Sequence, residues 1–126
     1  MNRKKLGSWG EEQARKYLEN QGFLILDNNY RCKLGEIDLI AMDGDSLVFI
    51  EVKTRRSTAY GFPMEAVGKR KQSKYIQMAS IYIKEKAMAQ VPFRFDVIEI
   101  MAKGQGQWDI NHIPNAFQSI GGRYYF

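Results

Sequence analysis

The sequence predicts an α/β sandwich, a mixed sheet with helices packed against it. Three observations carry this reading. Apolar residues recur at helical spacing near 8–21 and 65–89, and five shorter runs read as strands. Two of those runs flank the polar turn Asp43-Gly44-Asp45-Ser46, the signature of a β-hairpin. The chain has 126 residues, 44% of them hydrophobic and 26% charged, which suits one folded domain spanning 1–126.

The first helix is expected over Ser8 to Gln21, with Ser8 and Glu11 in capping-box spacing and Gly22 as its stop. Phe23-Leu24-Ile25-Leu26 reads as a short buried strand, and Asp27-Asn28-Asn29 as a turn or bulge. Glu36 to Met42 and Leu47 to Thr54 form the hairpin. Arg55 to Pro63, rich in Arg, Ser, Thr, Gly and Pro, predicts a mobile loop. A long helix follows over Glu65 to Ala89, with Val67, Ile76, Ala79 and Ile83 on its apolar face and Tyr75 continuing the stripe. Pro92 ends it. Phe93 to Met101 alternates as a strand, Gly104 to Gln107 turns, and Trp108 to Ile113 returns, giving the order α-β-β-β-α-β-β.

Nineteen Lys and Arg against 14 Asp and Glu give a net charge of +5, a balance that favours a polyanionic partner. A single cysteine, Cys32, excludes an internal disulfide and a multi-cysteine zinc site, and it reads as an inert side chain. A single histidine, His112, argues against paired-histidine catalysis and reads as structural. The basic start Met1 to Gly7 runs into Trp9-Gly10-Glu11-Glu12 instead of an apolar stretch, and no run approaches membrane-spanning length. The expectation is a cytoplasmic protein without a membrane partner.

The hairpin carries the strongest chemical signal. Side chains alternate along a strand, so Glu36 and Asp38 share one face, as do Glu51 and Lys53 on the next strand. If Gly44-Asp45 forms the turn, Asp43 pairs with Ser46, and a four-residue loop from Asp43 to Ser46 gives the same register. Asp38 then faces Glu51, and Glu36 faces Lys53. A turn at Asp43-Gly44 shifts the register by two, bringing Glu36 opposite Glu51 on the same face. Facing carboxylates repel, so a divalent cation between them makes physical sense, and hard oxygen ligands suit Mg²⁺ or Mn²⁺. Glu11 lies on the apolar stripe of the first helix with Ala14 and Leu18, and two roles stand open for it: the helix cap, or a reach toward the same site.

Charge is segregated along the chain. Glu36 to Glu51 holds five acidic residues and no Lys or Arg. Lys53 to Lys74 holds seven basic residues, Lys53, Arg55, Arg56, Lys69, Arg70, Lys71 and Lys74, against Glu65 alone. An acidic pocket bordered by a basic loop and a basic helix start suits phosphodiester chemistry, in which a metal polarises the phosphate and cations hold the backbone. Tyr60 and Phe62 in the loop serve either to stack on bases or to anchor the loop. The tail Arg123-Tyr124-Tyr125-Phe126 covers either the domain's own core or a partner.

Asp38, twelve intervening residues and then Glu51-Val52-Lys53 resembles the PD-(D/E)XK nuclease superfamily. Gly35-Glu36-Ile37-Asp38-Leu39-Ile40-Ala41 with Leu47 to Arg55 looks more specifically like the YraN-like family of endonuclease-like bacterial proteins. The resemblance continues through Arg94-Phe95-Asp96-Val97 and His112-Ile113-Pro114-Asn115-Ala116-Phe117, hence nearly the whole chain. The layout is similar to archaeal Holliday-junction resolvases, which also carry a glutamate in their first helix. One departure is Ile37, where the superfamily motif has proline.

The resemblance implies a restriction-endonuclease-like α-β-β-β-α-β core with a mixed central sheet flanked by helices. It implies that Asp38, Glu51, the Val52 carbonyl and Glu11 hold Mg²⁺ or Mn²⁺, and that Lys53 positions or deprotonates the attacking water. Glu36 and Gln72 are auxiliary, with Gln72 and Lys69 able to reach the scissile phosphate. Arg55, Arg56, Lys69, Arg70, Lys71 and Lys74 would bind nucleic acid. The implied activity is hydrolysis of DNA, branched or structured, by a homodimer, with RNA left open. The alternative is a nucleic-acid binding module that keeps the fold without efficient catalysis.

Overall fold

The computed structural model describes residues 2–56 and 69–117, with Lys69 described in its backbone alone. Among these residues seven elements follow one another: α1 (Arg3–Asn20), β1 (Leu24–Cys32), β2 (Gly35–Asp43), β3 (Ser46–Arg55), α2 (Lys69–Glu85), β4 (Phe93–Gly104) and β5 (Gln107–Phe117). The strands form one sheet in the order β1-β2-β3-β4-β5. Only β3 and β4 run parallel, and α2 lies between them in sequence; the other pairs are antiparallel. The predicted element order and the mixed sheet are both observed.

The sheet is buried on both faces. Under α1, Ala14 and Leu18 pack on Leu39, Ala41, Val48, Ile50, Ile98 and Ile100. Under α2, Tyr75, Ile76, Ala79, Tyr82 and Ile83 pack on Ile40, Leu47, Phe49, Phe95 and Val97. The alternation of β3 is therefore clean: Val48 and Ile50 meet α1, whereas Leu47 and Phe49 meet α2. Glu51, two residues beyond Phe49, falls on the α2 face.

The first helix begins five residues before the expected Ser8. Asn2 is its cap, its Oδ1 accepting the Lys5 N–H at 2.8 Å, and so the Ser8–Glu11 capping box does not form. Gly10, inside the helix, answers a tertiary demand. A Cβ there would lie 1.8 Å from Thr54 Oγ1, so glycine lets α1 settle directly on β3. The helix stops as predicted, with Gly22 at φ +93° and the Phe23 N–H donating to the Leu18 carbonyl at 2.9 Å.

β1 differs from expectation. A bulge sits between Ile25 and Asp27, but the chain does not turn and the strand runs on to Cys32. As an edge strand it is not buried throughout, with Leu24 64% exposed. The hairpin register is the one that pairs Asp43 with Ser46. Arg55, expected in the loop, closes β3. The second helix ends at Glu85, four residues before the expected Ala89, with Ala87 already at φ +55°. Its predicted start at Glu65, Val67, Tyr60, Phe62 and the tail from Arg123 lie outside the described residues. Among the described residues no helix is long and apolar enough to cross a membrane.

Candidate functional site

The β2–β3 ladder stops at Leu39↔Ile50, although both strands extend beyond it. The strands part there, and Asp38 fills the opening with its side chain. One carboxylate oxygen accepts the Val52 N–H at 2.7 Å. Asp38 and Glu51 thus meet on the α2 face, close enough to hydrogen-bond. Glu36, in contrast, does not face Lys53. It pairs with Arg31 of β1, because the ladder that would have carried it toward β3 has ended.

Glu51 is only 4% exposed. The Tyr75 hydroxyl donates to its Oε1 at 2.8 Å. Among the described residues its Oε2 is buried without a hydrogen-bond partner and is compensated by charge, in an ion pair with Lys71 and with Lys53 Nζ at 3.7 Å. Tyr75 was expected in the core; it is buried there and also grips the acid.

Two acids this close divide one proton. Burial, then Glu51 beside it, pushes the Asp38 carboxyl up to about 9. Burial also raises Glu51, but the hydrogen bond with Asp38 and the Lys71 ammonium outweigh it and hold Glu51 below its usual value. Near neutral pH the pair carries a single negative charge, on Glu51. Burial and the neighbouring Lys71 lower the Lys53 ammonium, against the pull of Glu51. The Lys71 ammonium is also penalised by burial, yet its bond to Glu51 raises it.

Glu11 reaches Asp38 from α1. Carboxylate oxygens of Glu11, Glu36 and Asp38 lie within 4.8 Å of one another, an arrangement able to hold a metal ion. Asn29 ties two of them together, its Nδ2 donating to Glu11 at 3.0 Å and to Glu36 at 2.6 Å. A cavity of about 260 Å³ opens beside them, lined by Ser8, Glu11, Glu12, Arg15, Asn28 and Asn29. Asn29 was not among the candidate site residues. Its signal was the Asn28-Asn29 pair beside the bulge, since Asn tolerates the left-handed backbone observed at φ +54°.

The basic residues divide. Lys53 and Lys71 stand at Glu51, and Gln72 follows Lys71 half-buried. Arg55 pairs with the buried Glu99 at 3.3 Å. Arg56, Arg70 and Lys74 are exposed, and the Lys69 side chain lies outside the described residues.

A second polar cluster surrounds Asp96, which is fully buried. It accepts from Arg94 Nε at 3.0 Å, from the Asn115 N–H at 2.9 Å and from His112 Nε2 at 2.8 Å. His112 Nδ1 meets the Tyr17 hydroxyl at 3.3 Å, and Arg94 continues to Asp43 at the hairpin end. The histidine ties α1, β4 and β5 together, in line with its structural reading.

Fold and site define a mixed α/β protein with a carboxylate cluster where two antiparallel strands part. Residues 10–100 match the model of the family described as "Uncharacterised protein family UPF0102". The chain belongs to that family. It is 50% identical over 117 residues to a UPF0102 protein of Clostridium botulinum strain 657, covering 91% of this chain and 95% of that one. It is 47% identical over 116 residues to one of Clostridium acetobutylicum, with the same coverage. Against a UPF0102 protein of Caldicellulosiruptor saccharolyticus it is 43% identical over 118 residues, 93% of this chain and all of that one. The membership agrees with the YraN-like resemblance.

Proposed function

We propose that residues 1–126 form one metal-dependent nuclease domain that hydrolyses phosphodiester bonds in DNA, with branched or structured DNA its substrate. The observation that carries this reading is the meeting of Asp38 and Glu51 at the strand opening, with Glu51 Oε2 buried and, among the described residues, met by ammonium charge instead of a hydrogen bond. A divalent cation would serve the same oxygen. The candidate ligand atoms, carboxylate oxygens and the Val52 carbonyl, are hard donors that fit Mg²⁺ or Mn²⁺ and not a softer metal. Asp38, Glu51, Glu11 and the Val52 carbonyl would hold it, with Glu36 as auxiliary. When bound, it would polarise the scissile phosphate and lower the pKa of a water.

Lys53 is the general-base candidate. Burial and Lys71 make its proton easier to lose, which proton abstraction near neutral pH requires. Gln72 would reach the scissile phosphate, and Arg56, Lys69, Arg70 and Lys74 would hold flanking phosphates. Recognition then rests on charge and shape, with affinity falling steeply as salt rises. A symmetric branch needs two cuts, which favours a two-fold homodimer.

The test is cleavage of linear, flapped and four-way DNA with Mg²⁺, Mn²⁺ or chelator. Metal-dependent cutting that Asp38→Ala and Glu51→Ala abolish without unfolding the protein supports the reading. Absence of cutting on every substrate, with salt-sensitive DNA binding retained, supports the binding module instead. One observation favours that second reading: the Lys71 ammonium already balances Glu51, so the acid pair has a stable resting form.

A further inference from the structure

On α2, Lys71 reaches back to the sheet: its ammonium is ion-paired with Glu51 Oε2. Tyr75, one turn later on the same face, holds Oε1 at 2.8 Å. The helix thus takes both oxygens of one buried carboxylate, one through a neutral hydroxyl and one through a full charge.

The two partners differ in how firmly they are held. Tyr75 is 2% exposed and packed in the core, whereas the Lys71 side chain is 41% exposed and has an open path to solvent. Among the described residues, Glu51 Oε2 has no hydrogen bond that would keep it satisfied once the ammonium leaves. Resting on the metal-site reading above, we infer that Lys71 is a built-in stand-in for the divalent cation, seated on Glu51 in the metal-free protein and released when the metal loads. The freed ammonium stands beside Gln72 at the edge of the site, where a backbone phosphate is its natural partner. Metal and DNA therefore help each other bind: the metal frees Lys71 for DNA, and DNA holding Lys71 clears Oε2 for the metal.

The experiment is Mn²⁺ titration, followed by calorimetry and electron paramagnetic resonance, of wild type, Lys71→Met and Lys74→Met. Lys74→Met measures the general effect of removing one positive charge from the same helix. Removing the occupant should tighten Mn²⁺ binding by about three- to tenfold, more than Lys74→Met does. Saturating DNA should tighten Mn²⁺ binding to wild type but not to Lys71→Met. If Lys71→Met does not fold, the wild-type lysine side-chain resonances decide: the Lys71 Cε signal should move on adding Mg²⁺ and the Lys74 signal stay. Wild type that binds Mn²⁺ no more weakly than Lys71→Met, or a Lys71 signal unmoved by bound Mg²⁺, overturns the inference and leaves the metal site standing. A wild type that binds no Mn²⁺ overturns both.

Discussion

The Asp38 carboxylate accepts the Val52 N–H at 2.7 Å, taking up a main-chain donor where the β2–β3 ladder has stopped. This bond holds Asp38 against Glu51 and makes a separated strand pair tolerable, because the exposed donor is satisfied. The opening that would admit a cation and the acid that would bind it are one structural feature.

Asp38→Asn should stabilise the metal-free protein. The amide oxygen still accepts from Val52 and the amide nitrogen donates to Glu51, so the geometry survives without the cost of keeping a proton on the buried carboxyl. The expected gain is about 1 kcal/mol near neutral pH. The wild-type carboxyl is held at about 9, above its ordinary 3.8. Its contribution to stability is therefore fully present below pH 3.8 and lost as pH rises through about 9. Urea melts between pH 5 and 9 should show that decline in wild type and a flatter profile in the variant.

Divalent cations should raise the melting temperature, and more so at higher pH. A cation at the pair displaces the Asp38 proton, so its affinity grows as that proton becomes easier to remove. At about 100 times its Kd, Mg²⁺ should add about 2.7 kcal/mol of stability. Thermal melts at pH 6, 7 and 8 with Mg²⁺ or chelator test this, with Asp38→Asn expected to lose most of the effect. An identical Mg²⁺ increment at every pH would contradict proton displacement.

The Asp38–Glu51 meeting was legible because strand parity and a turn at Gly44-Asp45 settle it without any tertiary information. Glu36 opposite Lys53 followed from the same arithmetic and failed, because the arithmetic assumes an unbroken ladder. The Asp38–Val52 bond that accompanies the break is a side-chain choice invisible to periodicity. Asn29 was hidden for a related reason: its role depends on a left-handed residue near a bulge, which brings it to Glu11 and Glu36 from an edge strand. Lys71 was legible as a basic residue but not as the partner of Glu51, since the pairing depends on where α2 crosses the sheet.

Asp96→Ala should be among the most damaging single changes outside the acid site. Burial raises the Asp96 carboxyl, but His112, Arg94 and the Asn115 N–H outweigh it and hold it below the ordinary value. Its stabilisation is therefore present above pH 3.8 and lost as pH falls through its lower folded value. Removing the acid leaves Arg94 and His112 without their shared partner, at a cost of about 3–5 kcal/mol in urea unfolding. His112→Gln should cost less and retain metal-dependent cleavage, since the histidine acts as a tie between elements. Loss of cleavage in a folded His112→Gln would instead make the histidine part of the chemistry.

Gly10→Ala should separate the seating of α1 from the chemistry of Glu11. The added Cβ would lie 1.8 Å from Thr54 Oγ1 and 2.9 Å from Thr54 Cβ, so the helix must lift from β3. Overpacking of this kind costs about 1–3 kcal/mol. Glu11 is the next residue and would be carried away from Glu36 and Asp38, so divalent-cation affinity should fall together with stability. Thr54→Ala removes the nearer atom, and the double variant should recover part of both losses. Recovery of stability without recovery of cation affinity would detach Glu11 from the site. Recovery of both would make the fit of Gly10 against Thr54 the reason that the first helix delivers its carboxylate to the sheet.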